Sequence, residues 1–279
     1  MSSQAPTVSR RATTPDLILR WSTLSYLAIM VALPMLALAV QAARPGFRPF
    51  WEAVTDPTAW HSLKLTFLTA AIMVAINAVT GTATAWVLVR YDFPGRTIVN
   101  ALIDLPFAVP TVVTGVMLVI LYGPSSVVGT VLGKFGWGVI YRQPGVVLAL
   151  LFVTYPFVIR SVQPVLMELD RAEEEAATIL GAGPWTTFRK IILPALWPSI
   201  VTGSALSFSR ALGEFGSVIL VAGNHPLLTK TAPLYIYGEI ESGNRHGALA
   251  VSAVLLICSL TILVGINALQ GRKGEDHGE

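Results

Sequence analysis

Apolar runs of about twenty residues recur along this chain, near 24–41, 63–89, 99–122, 145–166, 199–221 and 248–269. Coiled as a helix, a run of that length crosses the ~30 Å hydrocarbon core of a bilayer, where every backbone amide must find its partner inside the segment. The recurrence predicts an all-α membrane protein with about six transmembrane helices. Composition agrees: 53% of the 279 residues are hydrophobic and 13% charged, about half the charge of a soluble domain.

Local chemistry refines the spans. Arg20, Trp21 and Tyr26 read as interfacial anchors of a first helix over 23–42, preceded by a tail over 1–22. A segment rich in Pro, Trp and Phe (43–61) reads as a polar connection. Asn77, Thr80, Gly81, Thr82 and Thr84 suit a second span packed against other helices rather than lipid. Arg90, Asp92, Pro94, Gly95 and Arg96 form a tight turn into a third span, where Pro106 and Pro110 predict a kink or an interruption. A tail over 270–279 closes the chain.

The net charge of +3 is spread in short clusters between apolar runs, which argues against a nucleic-acid partner and for membrane orientation. Lys and Arg favour the tails and the segments 90–98 and 167–194 (Arg10, Arg11, Arg20, Arg90, Arg96, Arg171, Arg189, Lys190, Arg272, Lys273) over the opposite loops (Arg44, Arg48, Lys64, Lys134, Arg142, Lys230, Arg245). That bias predicts cytoplasmic termini and a cytoplasmic 168–194 loop. Arg10-Arg11 invites a twin-arginine reading, but no small-residue cleavage site follows, and a retained tail is simpler. The single cysteine, Cys258, lies in the last apolar run and reads as a small buried residue.

The 168–194 segment differs from its surroundings. Asp170 is placed to cap a helix from Arg171, with Glu173, Glu174 and Glu175 near its positive pole, and Gly181 suits a left-handed stop. Pro184 opens a second helix over 185–192, with Arg189 and Lys190 near its negative pole and Pro194 as its end. Two short helices meeting at a bend, with Leu180, Ala182 and Trp185 at the corner, form a knob that either fits a partner's groove or merely links two spans in water.

EAATILGAGPWTTFRKIILP (175–194) resembles the signature loop of ABC importer permeases: EAA, three residues, G, nine residues, I, one residue, LP. Glu175, Ala176, Ala177, Gly181, Ile191, Leu193 and Pro194 match in identity and spacing. DLPFAVPTVVTGVMLVILYG (104–123) and SFSRALGEFGSVILVAGN (207–224) are similar to segments of the sulfate/thiosulfate and molybdate permeases, and GEFGSV looks more like the sulfate CysT type than the GEFGAT of molybdate homologues. The resemblance implies a type I importer (MetI-like) permease fold, with the permease domain over 62–269 and a multi-pass location in a bacterial inner membrane. In such families the loop docks on a cytoplasmic ATPase, which makes Glu175, Ala176, Ala177, Leu180, Gly181 and Ala182 the coupling residues here. It further implies a second homologous permease subunit, a periplasmic sulfate-binding protein, and ATP and Mg used by the partner ATPase rather than bound by this chain. Sulfate, with thiosulfate alongside it, is the implied substrate; a molybdate/tungstate permease is the alternative.

Within the fifth span Arg210 and Glu214 lie four residues apart on one helical face. They either flank an anion path or form a mutually neutralising pair that fixes packing, since Glu214 cancels attraction for an anion. Arg160 and Asp104 read as interfacial, with Arg160 snorkelling toward headgroups. Ser207, Ser209, Thr111 and Thr114 offer hydroxyls to an anion or, more simply, to their own helices. An enzyme is disfavoured: the chain contains no GxxxxGK[ST] phosphate loop and no HExxH pair, and His61, His225, His246 and His277 are scattered, so neither catalytic residues nor a metal site are expected. A secondary anion transporter using Arg210 and Glu214 as a relay is the rival of another class.

Overall fold

The computed structural model describes the backbone of residues 14–275 and the side chains of 17–265, and every regular element among them is a helix. Arg10, Arg11 and His277 lie outside the described residues, as do the side chains of Arg272 and Lys273. The first helix, α1, runs as Thr14–Leu27, passes through a π turn at Ala28–Ala32 and continues as Leu33–Ala43. It thus begins inside the stretch read as tail, because Leu17, Ile18 and Leu19 extend the apolar run around the single charge of Arg20. Of its described side chains only Ala42 is buried. So much exposed apolar surface suits lipid, not water.

The connection expected at 43–61 is instead helix α2 (Phe47–Thr55) followed directly by α3 (Pro57–Arg90). Asp56 explains the junction: its carboxylate accepts from the backbone N–H of Thr58 (2.9 Å) and Ala59 (3.1 Å), and Pro57 fills the first helical position, where no N–H is needed.

The third apolar run is two helices, α4 (Arg96–Ala108) and α5 (Thr111–Tyr122), set 114° apart. Pro106 weakens the end of α4, and Pro110 places an extended residue before α5, so the chain breaks rather than kinks. Gly95 at φ +87 and an Arg96–Asp92 pair at 2.7 Å form the turn that starts α4. Tyr122, at the end of α5, lines one cavity with Leu68 of α3 and Gln143, at the start of the next long helix. By length and composition the described residues hold five helices able to cross a membrane, and six crossings when the bent pair counts as one.

Helix α6 (Val127–Lys134) packs against α5, and α7 (Gln143–Glu168) is the central pillar, buried at Val146, Ala149, Leu150, Val153, Val158, Ile159, Val162 and Leu166. After α8 (Arg171–Ile179), α9 runs from Pro184 to Leu212 as one continuous helix. The second loop helix therefore does not stop at Pro194; it becomes the fifth span through a π turn at Phe188–Ile192. Among the described residues, both π turns are followed after one residue by a proline, Pro34 and Pro194. Each ring removes the N–H owed to the carbonyl four residues back and crowds it, and a widened turn relieves both.

The fifth run breaks once more before α10 (Gly216–Ala222), and α11 (Ala232–Glu241) and α12 (Arg245–Glu275) complete the chain. Helices α3 and α9 clasp α7 through small residues. A β-carbon on Gly81 would stand 3.0 Å from Val158 Cβ, and one on Gly203 only 2.7 Å from Val158 Cα. Asn77 donates to Thr154 Oγ1 at 2.9 Å, adding a polar tie at the same depth. At the far end Tyr235 of α11 is buried among Val54, Leu63 and Val251; burial first, then Glu239 and Asp56, pushes its phenol up to about 12.

Candidate functional site

Two places bring chemistry-bearing residues together: the 168–194 loop and the polar groups set into the spans. In the loop, Asp170 accepts from Ala172 N–H at 2.9 Å and starts α8, as its position in sequence predicts. The helix ends on Gly181 at φ +83. The Gly181 N–H donates to Thr178 O (3.0 Å) and the Ala182 N–H to Ala177 O (2.9 Å). That pair of bonds is the Schellman stop, and it requires a residue at ease in the left-handed region. Gly183 and Pro184 then reverse the chain into α9.

The corner is apolar and faces outward. Ile179 is 86% exposed and Leu180 88%; Trp185, just past the bend, is exposed as well and stacks on Phe188 with ring centroids 5.7 Å apart. Glu175 and Ala176 are exposed on α8, whereas Ala177 turns inward beneath Ala182. The sequence-predicted coupling residues are therefore gathered on one knob, most of them on its surface.

What holds the knob to the bundle is not evident from its own sequence. Glu174 pairs with Arg90, the last residue of α3, whose side chain is only 9% exposed and lies 5.3 Å over the Trp86 ring. Trp86 meets Phe188 edge to face at 5.9 Å. Arg90 sits at the negative pole of α3, a placement that sequence reading can see; its partner, 84 residues away, is set by the fold.

Between α4 and α7, Arg160 and Asp104 are partners rather than separate charges. Arg160 Nε and Nη2 bind both oxygens of Asp104 at 2.7 and 2.6 Å, and the guanidinium also donates to Asn100 O (2.9 Å) and to Gln163. The bidentate fork joins α4 to α7, and a further bond to Asn100 Oδ1 (3.3 Å) brings the guanidinium to five hydrogen bonds. Arg210 and Glu214 do pair, at 2.8 Å. Glu214 is 2% exposed and its other oxygen accepts from both the N–H and the Oγ of Ser217, each at 2.9 Å. The carboxylate thus closes the break between α9 and α10, while the Arg210 side chain is 36% exposed.

Of the candidate hydroxyls, Ser207 donates to Gly203 O at 2.9 Å and is fully buried. Thr114 is buried too, and Ser209 Oγ is buried with no hydrogen-bond partner among the described residues. Thr111 meets α10 at Gly216, where a β-carbon would stand 2.2 Å from its Oγ1. The breaks in the third and fifth spans therefore touch each other.

Comparison with known proteins gives this geometry a family. Residues 77–273 match the binding-protein-dependent transport system inner membrane component. A probable sulfate transport system permease protein cysT of Chlorokybus atmophyticus is 46% identical over 89% of this chain and 87% of its own length. The sulfate transport system permease protein CysT of Escherichia coli K12 is 42% identical over 96% of this chain and 97% of its own. Among solved structures, a bacterial ABC transporter involved in import of the acidic polysaccharide alginate superposes with a TM-score of 0.72 at 21% identity, covering 92% of this chain and 96% of that one.

Proposed function

This chain belongs to the family of binding-protein-dependent transport system inner membrane components that includes the CysT sulfate permeases, and on that premise we propose that it is the membrane-spanning subunit of an ATP-driven sulfate importer. Its fold is that of the MetI-like ABC importer permeases. The observation that carries the mechanism is the knob at 168–194, where Ile179, Leu180 and Trp185 stand in the open around a helical corner. Large apolar side chains exposed at such a corner suit docking of a protein partner.

The occupant is a cytoplasmic ATPase subunit, which places this loop and both termini on the cytoplasmic side of the inner membrane. Two permease chains, this one and a similar second subunit, form the path. ATP and Mg act on the ATPases. Their closure presses on the two loops, the bundle opens outward, and a periplasmic binding protein delivers the anion; hydrolysis resets the bundle inward. High-affinity selection rests with that binding protein.

Within the path, the Arg210–Glu214 pair acts as a structural brace at the helix break. Glu214 cancels the positive charge an oxyanion would seek, and three hydrogen-bonding partners hold it in place.

Uptake of radiolabelled sulfate by cells lacking and then regaining the gene tests the assignment. Sulfate uptake should vanish and return, with thiosulfate competing well and molybdate poorly. Unchanged sulfate uptake overturns the substrate, and strong competition by molybdate moves it to the larger tetrahedral oxyanions.

A further inference from the structure

Helix α8 touches the spans at few points. Among the described residues, Arg90–Glu174 is the one side-chain hydrogen bond or ion pair between α8 and a spanning helix. On its flank a groove of about 630 Å³ separates Trp86, Arg90 and Tyr91 from Arg171, Glu175 and Ile179. At its far end the chain passes through Gly181 and Gly183, and a β-carbon on either would meet nothing within 4 Å. The link from α8 to α9 is therefore open and loosely packed. A force applied to α8 reaches α7 through the short joint at Leu169–Asp170 and has its direct polar link to α3 through Arg90.

The second loop element is tied to the same stretch of α3. Phe188 packs on Trp86, four residues and about one helical turn before Arg90, and Arg90 lies over that same indole. Trp86 and Arg90 thus grip both arms of the loop from one face of α3. Guanidinium and indole hold each other in register, since a cation over an aromatic face is attracted to its ring. The Arg90 side chain is nearly closed off from solvent, so the ion pair is less screened than a surface pair.

We propose that Arg90 is a positioning residue for coupling: its ion pair with Glu174 makes α3 move as one body with α8, so that displacement of the knob is delivered to the second span as well as to the fourth and fifth. The proposal rests on the reading of the 168–194 loop as the ATPase dock. Its consequence is specific. Losing the pair leaves the dock intact and wastes the stroke, because α8 then moves without α3.

The test uses the complete transporter in lipid, with both permeases, the ATPase subunits and the sulfate-loaded binding protein. Three things are measured: co-purification of the ATPase, ATP hydrolysis, and sulfate transported per ATP. Arg90→Gln should retain the ATPase and lower sulfate per ATP roughly tenfold, the range of a typical coupling free energy. Arg90→Lys should lose less, and the charge swap Arg90→Glu with Glu174→Arg should recover most of the ratio. Leu180→Glu is run alongside and should release the ATPase. If Leu180→Glu leaves the ATPase bound and uptake intact, the docking reading fails and this proposal falls with it. If Leu180→Glu releases the ATPase while Arg90→Gln keeps the wild-type ratio, the docking reading stands and the role of Arg90 is refuted. Loss of ATPase co-purification in Arg90→Gln also refutes it, since Arg90 would then build the dock rather than transmit from it.

Discussion

Gly81 and Gly203 stand so close to Val158 that a side chain on either would collide with α7, whereas Gly181 and Gly183 in the loop look onto open space. The same residue type serves two purposes. In the spans, glycine sets a distance: it lets three helices approach until their backbones and small side chains touch. In the loop, Gly181 sets a direction, because φ +83 turns the chain where other residues resist. Interior substitutions should therefore register as lost stability, and loop substitutions as lost uptake in a protein that still folds.

The strongest challenge to that contrast is Gly203→Leu. Its β-carbon would lie 2.7 Å from Val158 Cα, so backbone rather than a pliable side chain must move. We expect a loss of about 3 kcal/mol or more, read as a lowered thermal midpoint of the purified protein in detergent. Gly133→Ala, with nothing within 4 Å of the added atom, is the matched control and should leave the midpoint in place. Equal midpoints for the two variants would mean that close approach to α7 is not what the glycine provides.

Glu214→Ala comes next. It strands Arg210 and removes the acceptor for both donors of Ser217, at an expected cost of about 2–3 kcal/mol. The double variant Arg210→Gln with Glu214→Gln removes both charges and retains hydrogen-bonding groups, and it should recover much of the thermal midpoint and keep sulfate uptake. A double variant that folds but no longer transports would show that Arg210 acts on the anion and that the brace reading is wrong.

How much of this was legible in the sequence varies with the range of the interaction. The apolar runs, the Asp170 cap, the Gly95 and Gly181 turns and the EAA-type loop are local, and each was readable from neighbouring residues. The start of α3 was equally local, in Asp56-Pro57, yet the surrounding aromatic and polar residues masked it. Pro194 was read as a stop because proline ends helices; a π turn instead let the helix pass, and propensity alone does not distinguish these outcomes. The Arg160–Asp104 fork and the Arg90–Glu174 pair bridge 56 and 84 residues. Nothing in the spacing of such residues announces a contact that only the packed helices create.

The Arg160–Asp104 fork gives a smaller effect, because both side chains are about a third to a half exposed. Asp104→Ala should cost about 1–2 kcal/mol and loosen α4 from α7, measured as faster cleavage of the 90–98 turn by a protease under conditions where the rest of the bundle is intact. Arg160→Met combined with Asp104→Leu should restore protection, since two apolar partners need no pairing. Unaltered cleavage in Asp104→Ala would assign the hold on α4 to Ile103 and its apolar neighbours.

Gly181→Val has the smallest expected effect on stability and the most direct bearing on the loop. The β-carbon meets nothing, so the cost is the left-handed backbone itself, about 1–2 kcal/mol and greatest for a branched side chain. That cost falls on the corner: rather than bear it, α8 can give up its Schellman stop and turn Leu180 away from its outward position. The thermal midpoint should hardly change while uptake falls severalfold. Gly181→Asn separates conformation from the mere presence of a side chain, because asparagine tolerates positive φ, and it should retain most of the uptake. If valine and asparagine reduce uptake alike, the added atoms obstruct the docking partner. If neither reduces it, the direction set at Gly181 is not what the coupling loop requires.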